Sequence, residues 1–294
     1  MDYNNIKYFN TIKTFLCNIV TLQESATFKL LTASILVSIS GIFRVYICYM
    51  FRHVDPNISM CLACGLIIYS IYTLDRTFGS KEDAVNRVNL IDSNKNLGTL
   101  FSVLAFIIGL YFYLINGLLV VALIPAVVCY VYSRGIKIGN RVIKLKSGHG
   151  IKNVVLGSTW GLFIVGSAGV NDPVLFMFLF ILYGVKVFRN SIMNDLKDIK
   201  GDALAGIKTV PVILGQLKTR NFLLIHHFIA HLILCIFMFY GLVIVEPIVI
   251  LCSYVCELIC ILNYKKSQNI ISKIFREGES TMTVLLRSVS MIPV

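Results

Sequence analysis

The residues Asn194-Asp-Leu-Lys-Asp-Ile-Lys-Gly-Asp202 decide how this chain folds and what it binds. Asp195, Asp198 and Asp202 stand at positions i, i+3 and i+7, so a helix that continues through them places three carboxylates on one face. Three negative charges at this spacing repel one another unless a cation lies among them. The stretch therefore predicts a site for Mg²⁺, which prefers carboxylate oxygens.

Two interpretations of this stretch are open from its residues alone. It lies between two apolar runs, 174–187 and 222–240, so it would extend from the end of a membrane helix. Under the first interpretation the carboxylates hold a metal ion. Under the second they belong to a solvated acidic helix end, which would account for the nearby lysines Lys197, Lys200 and Lys208.

The composition predicts an integral membrane protein. Of the 294 residues, 57% are hydrophobic and only 14% are charged, and the mean hydropathy is +0.79. A soluble domain of this length carries about 25% charged residues. We assign residues 1–28 to a cytoplasmic N-terminal tail, in which no signal peptide is apparent, and residues 29–294 to a single intramembrane domain.

The apolar runs predict the fold class: an all-α, polytopic membrane helical bundle with eight or nine transmembrane helices. A span must cross about 30 Å of hydrocarbon. The final stretch, 279–294, contains Arg287 and is either a short ninth span or an interfacial helix. The other runs that are long enough, or nearly so, lie at 30–51, 57–74, 97–116, 118–132, 154–170, 173–190, 222–240 and 243–262.

The positive charges predict the orientation of the bundle. The N-terminal tail with the adjoining Lys29 and the alternate connecting segments 75–97, 133–153, 186–220 and 264–277 hold 24 of the 27 Lys and Arg; the other three are Arg44, Arg52 and Arg287. The positive-inside rule then places these connections and the N-terminus in the cytoplasm. The net charge of +12 is thereby explained by topology, and we expect no nucleic-acid partner.

A first acidic stretch ends the second predicted span. Asp75 and Asp83 are eight residues apart, about 12 Å along a helix axis, and Asn86 and Arg87 follow. Two carboxylate-bearing helix ends on one membrane face could hold Mg²⁺ ions across a cavity. Carboxylate-bound Mg²⁺ commonly also grips phosphate, and neighbouring Lys or Arg suits diphosphate. With an apolar interior beneath, the expected ligand is a prenyl diphosphate.

Four further polar residues lie inside predicted spans. We expect Arg44 to extend its side chain toward the interface. Glu257 is a candidate functional carboxylate, although its closeness to the helix end also suits a simple interfacial role. His227 and His231 are four residues apart, where metal ligation and interfacial packing are both open.

These motifs resemble those of the UbiA-type intramembrane prenyltransferases, over about residues 30–262. The pattern D-x-x-D-x-x-G-D from Asp195 to Asp202, continued by 205–215, is similar to the family's second Asp-rich motif. Further similar pieces are Asp75-Arg76 and Asp83-Ala-Val-Asn-Arg87, Tyr132-Ser-Arg-Gly-Ile-Lys137, and Ile151 to Gly157 with Trp160-Gly161. The first motif departs from the family pattern, because Gly79 stands where its middle acid is expected; Glu82 could compensate. If Asp75 is instead the middle acid, Ile71 stands in place of the usual Asn and Gly79 in place of the last acid.

The resemblance implies an enzyme that moves a prenyl group from a prenyl diphosphate to an aromatic or lipid acceptor. It implies Mg²⁺ ligands at Asp75, Asp83, Asp195, Asp198 and Asp202. It implies diphosphate contacts at Asn86, Arg87, Tyr132, Lys137, Lys152, Asn153 and Arg189. Two alternatives are a non-catalytic relative that binds prenyl lipid, suggested by Gly79, and a secondary transporter, although transporters usually place charged sites near the bilayer midplane.

Overall fold

The computed structural model describes residues 25–78, 86–134, 136–138, 141–143, 150–244, 246–264 and 270–290, and side chains at all of these except 132–134, 136–138, 141–143, 270, 271, 273, 289 and 290. The helices are α1 (Ala26–Thr32), α2 (Ile35–Phe51), α3 (Ile58–Phe78), α4 (Lys95–Ile115), α5 (Leu119–Arg134), α6 (Ile151–Ser167), α7 (Pro173–Leu204), α8 (Val210–Phe239), α9 (Pro247–Leu262) and α10 (Ile270–Ser290). Most of the predicted tail lies outside the described residues, and α1 begins at Ala26 within its last positions.

The helices from α2 to α10 form a closed bundle. Each packs against the next one along the chain, and α10 packs back against α2. The main apolar core lies between α2, α3, α6 and α7, and a smaller cluster around Ile192, Leu223 and Ile261 joins α7, α8 and α9. The prediction of a helical bundle is thus confirmed for the described residues.

Five helical segments are long and apolar enough to cross a membrane, judged by length and composition. They are Ala26–Phe51, Ile58–Phe78, Lys95–Ile115, Pro173–Leu204 and Val210–Phe239. Two shorter apolar helices, Leu119–Val131 and Pro247–Leu262, coincide with predicted spans. An integral membrane protein follows from these segments, while the full number of spans stays a prediction.

One small β-hairpin lies in a connection of the otherwise helical bundle. β1 (Ile136–Ile138) pairs antiparallel with β2 (Arg141–Ile143) in the connection after α5. The sequence carries the signal for it, since two short runs with β-branched residues flank Gly139-Asn140, a dipeptide typical of tight hairpin turns. The positive charge of this connection drew the interpretation to topology instead.

Glycines bring α6 and α7 unusually close together. A Cβ at Gly157 would lie 2.7 Å from the carbonyl oxygen of Gly184, and one at Gly161 would lie 2.7 Å from the Gly184 Cα. Gly184 belongs to a π-helical turn, Ile181–Val185, in the middle of α7. Small residues at this spacing are the usual means by which membrane helices let their backbones approach.

Helix α10 has a polar face that points into the bundle. Its residues Arg276, Glu277, Glu279, Ser280 and Thr283 are buried, whereas its exposed side chains include Ile274, Met282, Leu285 and Leu286. α10 runs antiparallel to α9, because Arg287 Nη2 lies 2.5 Å from Glu246 Oε1 at one end and Cys260 Sγ lies 3.6 Å from Ser272 O at the other. An apolar outer face and a polar inner face suit a helix surrounded by lipid.

The inner face of α10 pairs with cations from other helices. Arg44 Nη2 lies 3.8 Å from Glu277 Oε2, and Lys186 forms an ion pair with Glu279. All four side chains are buried. The prediction that Arg44 extends toward the interface is therefore wrong, because a carboxylate inside the bundle compensates its charge.

Candidate active site

The second acidic stretch forms part of α7 without a break, as predicted. Asp195 and Asp202 are only 3% and 4% exposed, whereas Asp198 is partly exposed. An ionised carboxylate is costly to bury unless it is paired. A solvated helix end is therefore the wrong interpretation for Asp195 and Asp202. The exposed side chains of this region include the lysines Lys197, Lys200 and Lys208.

Helix α6 supplies the partners of Asp195. Lys152 Nζ lies 2.6 Å from Asp195 Oδ1, and Asn153 Nδ2 donates to Asp195 Oδ2 at 2.9 Å. The same Asn153 amide reaches Ser191 Oγ at 2.8 Å. Two residues predicted to contact diphosphate thus contact a predicted metal ligand. The Lys152 ammonium and the Asn153 amide each touch the carboxylate of Asp195.

Local backbone structure positions these side chains. Gly150 adopts a left-handed conformation, with φ of 75°, immediately before α6, which is readily accessible to glycine. Lys152 and Asn153 consequently lie in the first turn of α6. The close glycine crossing further along α6 holds that first turn beside Asp195, which lies about three helical turns after the π turn of α7.

The end of the first acidic stretch meets α7 as well. Arg87 Nη1 lies 3.9 Å from Asp75 Oδ2, with both side chains about one-third exposed. The side-chain amide of Asn86 packs so closely on Gly201 of α7 that a Cβ there would lie 2.2 Å from Asn86 Oδ1. Arg87, Lys152 and Asp195 are all near enough to Asp198 to interact with its charge. The described parts of the two stretches therefore come together as expected.

Several predicted site residues cannot be placed in the same way. Asp83, together with Gly79 and Glu82, lies outside the described residues. Tyr132 lies in the last turn of α5 and Lys137 in β1, and their side chains are outside the described part of the structure.

Arg189 lies away from the acidic cluster. Its Nε and Nη2 donate to Glu257 Oε1 and Oε2, each at 2.5 Å, and both side chains are buried. Arg189 precedes Asp195 by six residues, which turns its side chain about 120° around the helix. Its role as a diphosphate contact stays a prediction, and its described contacts favour a structural ion pair between α7 and α9.

The sequence interpretation missed the ion pairs inside the bundle. Glu257 was identified as an intramembrane carboxylate, but its partner was not, because Arg189 was assigned to diphosphate. Glu277 precedes the final stretch, 279–294, and Glu279 begins it, but nothing in their spacing indicates that they pair with Arg44 and Lys186. One signal for these pairs is present in the sequence: each charged side chain inside a membrane span needs a partner of opposite charge.

The model of the UbiA prenyltransferase family matches residues 51–273, about three quarters of the chain. This chain belongs to the UbiA prenyltransferase family. The match includes every predicted site residue, and the resemblance inferred from the two acidic stretches is thereby confirmed.

Curated relatives match just under half of the chain. A digeranylgeranylglyceryl phosphate synthase from Methanococcus aeolicus is 28% identical over 143 residues, 46% of this chain and 47% of the relative. One from Methanopyrus kandleri is 30% identical over 145 residues, 47% of this chain and 51% of the relative. The chain spans about half the length of the curated relatives it matches.

Solved structures share the fold. A UbiA homologue from Aeropyrum pernix superposes with a TM-score of 0.59 at 12% identity, covering 88% of this chain and 99% of the homologue. A UbiA homologue from Archaeoglobus fulgidus bound to DMAPP and Mg²⁺ gives a TM-score of 0.51 at 15% identity, covering 90% and 86%. At these identities the likeness concerns the arrangement of helices.

Proposed function

We propose that this chain transfers a prenyl group from a prenyl diphosphate to an acceptor, with Mg²⁺ as cofactor. The observation that carries the proposal is the meeting of the two acidic stretches. Asn86 packs on Gly201, and Arg87 contacts Asp75 while lying near Asp198. Membership in the family supports this function over a secondary transporter.

The residues present fit Mg²⁺ and diphosphate. Asp75, Asp195, Asp198 and Asp202 offer hard carboxylate oxygens from two helices, the donor type that Mg²⁺ takes, and Asp83 would add another. Lys152 and Arg87 are cations within reach of these carboxylates. A bound metal would neutralise charge on the diphosphate as it leaves.

The roles of the chain's own residues follow from the bonds that change. The allylic C–O bond breaks and its electron pair stays on diphosphate, while the acceptor forms a bond to the prenyl carbon and loses a proton. Lys152 and Arg87 stabilise the departing negative charge, since both already lie beside anionic oxygens. Lys137, Asn86 and Tyr132 are proposed as further diphosphate contacts.

An aromatic pair lies below the acidic cluster. Tyr72, one turn before Asp75 on α3, stacks on Trp160 of α6 with ring centroids 5.3 Å apart. Aromatic faces stabilise cations, and apolar surroundings keep water from an allylic cation. We assign this pair to the wall that faces the prenyl carbon.

The names of the relatives suggest the class of acceptor. Their product carries two geranylgeranyl groups on glyceryl phosphate, so a glyceryl phosphate lipid with one such group is the acceptor to test first. An aromatic or quinone precursor is the alternative that the family resemblance leaves open.

The orientation belongs to the same proposal. We place the N-terminus and both acidic stretches on the cytoplasmic face of the cell membrane, by the distribution of Lys and Arg. We count α10 as the ninth span, because it packs antiparallel to α9 and exposes apolar side chains outward.

One assay tests the activity. Purified protein is incubated with labelled geranylgeranyl diphosphate, a panel of glyceryl phosphate and aromatic acceptors, and either Mg²⁺ or EDTA. We expect diphosphate release and prenylated product only with Mg²⁺. Release that is undetectable with every acceptor would contradict the enzyme, and prenyl diphosphate binding without turnover would support the non-catalytic alternative.

A further inference from the structure

Two histidines and a glutamate form a compact cluster between α8 and α9. His227 and His231 lie one turn apart on α8, and their rings are 4.3 Å apart. Glu257 of α9 completes the group, and one ligand atom from each residue lies within 4.8 Å of the others. The side chains are only 1–4% exposed, so the cluster is shielded from solvent.

The histidines have their lone pairs available inside the cluster. His231 Nδ1 lies 3.0 Å from the carbonyl oxygen of His227, which fixes the proton on Nδ1. Its Nε2 and that of His227 have no hydrogen-bond partner among the described residues. A buried polar atom without a partner is costly. A histidine that donates one ring N–H to a backbone carbonyl is the usual support of a metal-binding imidazole.

Glu257 is held in a matching way. Arg189 engages both of its oxygens at 2.5 Å, and His227 Nδ1 lies 3.4 Å from Oε2. Each carboxylate oxygen has two lone pairs, and His227 Nδ1 forms no hydrogen bond among the described residues, so Oε2 keeps one lone pair for a further ligand. Ligating carboxylates are commonly hydrogen-bonded in this manner, which fixes their orientation.

The donor types select the metal. Two imidazoles and one carboxylate are a known three-ligand set for Zn²⁺, with a fourth position left for water or another ligand. Mg²⁺ prefers oxygen ligands only. The negative charge of Glu257 is compensated by Arg189, so the three ligands and Arg189 together carry no net charge. A bound Zn²⁺ would therefore keep its +2 charge, which would favour an anion such as hydroxide at the fourth position.

We propose that His227, His231 and Glu257 bind one Zn²⁺ ion, at a site separate from the acidic cluster. Arg189 contacts Glu257 and lies about 120° around α7 from Asp195, so the two sites use different faces of that helix. A metal here would tie α8 to α9 and, through Arg189, to α7.

Zinc content and cobalt spectroscopy test the proposal on the full chain in detergent. The protein is treated with EDTA and then reloaded with Zn²⁺ in the presence of excess Mg²⁺. By elemental analysis we expect about one Zn²⁺ per chain in the wild type. Co²⁺ loading should give the strong visible absorption of a four-coordinate site. His231→Ala and Glu257→Gln should each lose both signals.

Matched controls separate this site from others. His226→Ala, on the same helix but outside the cluster, and Asp198→Ala should keep both signals. Wild-type protein that takes up no Zn²⁺, or His231→Ala with unchanged uptake and spectrum, would overturn the proposal. Loss of the signals in Asp198→Ala would place the zinc in the acidic cluster and overturn it equally. If His231→Ala does not fold, the wild-type cobalt spectrum decides, because a six-coordinate spectrum excludes the site.

Discussion

Asp198 is the partly exposed carboxylate of the second acidic stretch, beside Arg87, Lys152 and Asp195. Asp198→Ala removes one proposed metal ligand while leaving the buried Asp195 pairing in place. We expect turnover to fall by about tenfold or more, measured as Mg²⁺-dependent diphosphate release. Lys200→Ala, an exposed position on α7 that is not among the charges acting on Asp198, is the control and should stay near wild type; near-normal activity of Asp198→Ala would show that the site is misplaced.

The ion pair of Arg189 and Glu257 gives a second prediction for single residues. Glu257→Gln leaves the buried guanidinium without its compensating charge, which should lower stability by about 3–5 kcal/mol. The double variant Arg189→Met with Glu257→Leu removes both charges and should be less destabilised than Glu257→Gln. Thermal unfolding in detergent with EDTA present measures both, and equal losses for the single and double variants would contradict the compensation argument.

Single residues show how far the sequence predicts the site. The spacing of Asp195, Asp198 and Asp202 predicted one continuous helix, because helical period depends only on local positions. The role assigned to Arg189 depended on which neighbour faces it, and that is set by how α7 is rotated in the bundle. Spacing along one helix does not contain that rotation.

Among the elements, the crossing of α6 and α7 depends on Gly157, Gly161 and Gly184. Gly161→Ala would place a Cβ 2.7 Å from the Gly184 Cα, and the backbones must separate. We expect a loss of about 1–3 kcal/mol and lower activity, since Lys152 and Asn153 would move from Asp195.

Gly278→Ala on α10 is the matched control for this crossing. The nearest atom to its Cβ would be Ile274 Cγ2 at 3.6 Å, an ordinary contact. Alanine favours a helix over glycine by about 1 kcal/mol, so this variant should be as stable as the wild type or more so. Thermal unfolding and prenyl transfer measured on both variants check the pair, and equal behaviour would argue against a close crossing.

The elements were predictable to different degrees for one physical reason. Hydropathy predicts long apolar helices such as α4, because a helix surrounded by lipid needs apolar side chains along its length. The sequence does not decide whether 279–294 is a span or an interfacial helix, since Glu279 and Arg287 interrupt its apolar pattern. Their charges are compensated inside the bundle, and hydropathy does not register compensation between distant helices.

For the whole molecule, the closed ring of α2 to α10 and the basic connections define which ends share a membrane face. We predict that a cysteine at Lys200 is shielded from an impermeant maleimide in intact cells, whereas one at Asn171 is labelled. The unmodified chain gives the background from its own cysteines. Labelling of the Lys200 position but not the Asn171 position would reverse the orientation and place the acidic stretches outside.

The π turn at Ile181–Val185 has a consequence for sequence change by insertion and deletion. A π turn holds one residue more than an α turn, and each residue advances a helix by about 100°. Deleting one residue there would keep every side chain of the acidic stretch yet rotate all of them away from Lys152 and Arg87. The direction in which the carboxylates project from α7 thus depends on the number of residues in the π turn. Substitutions do not change that number, whereas the deletion of a single codon does.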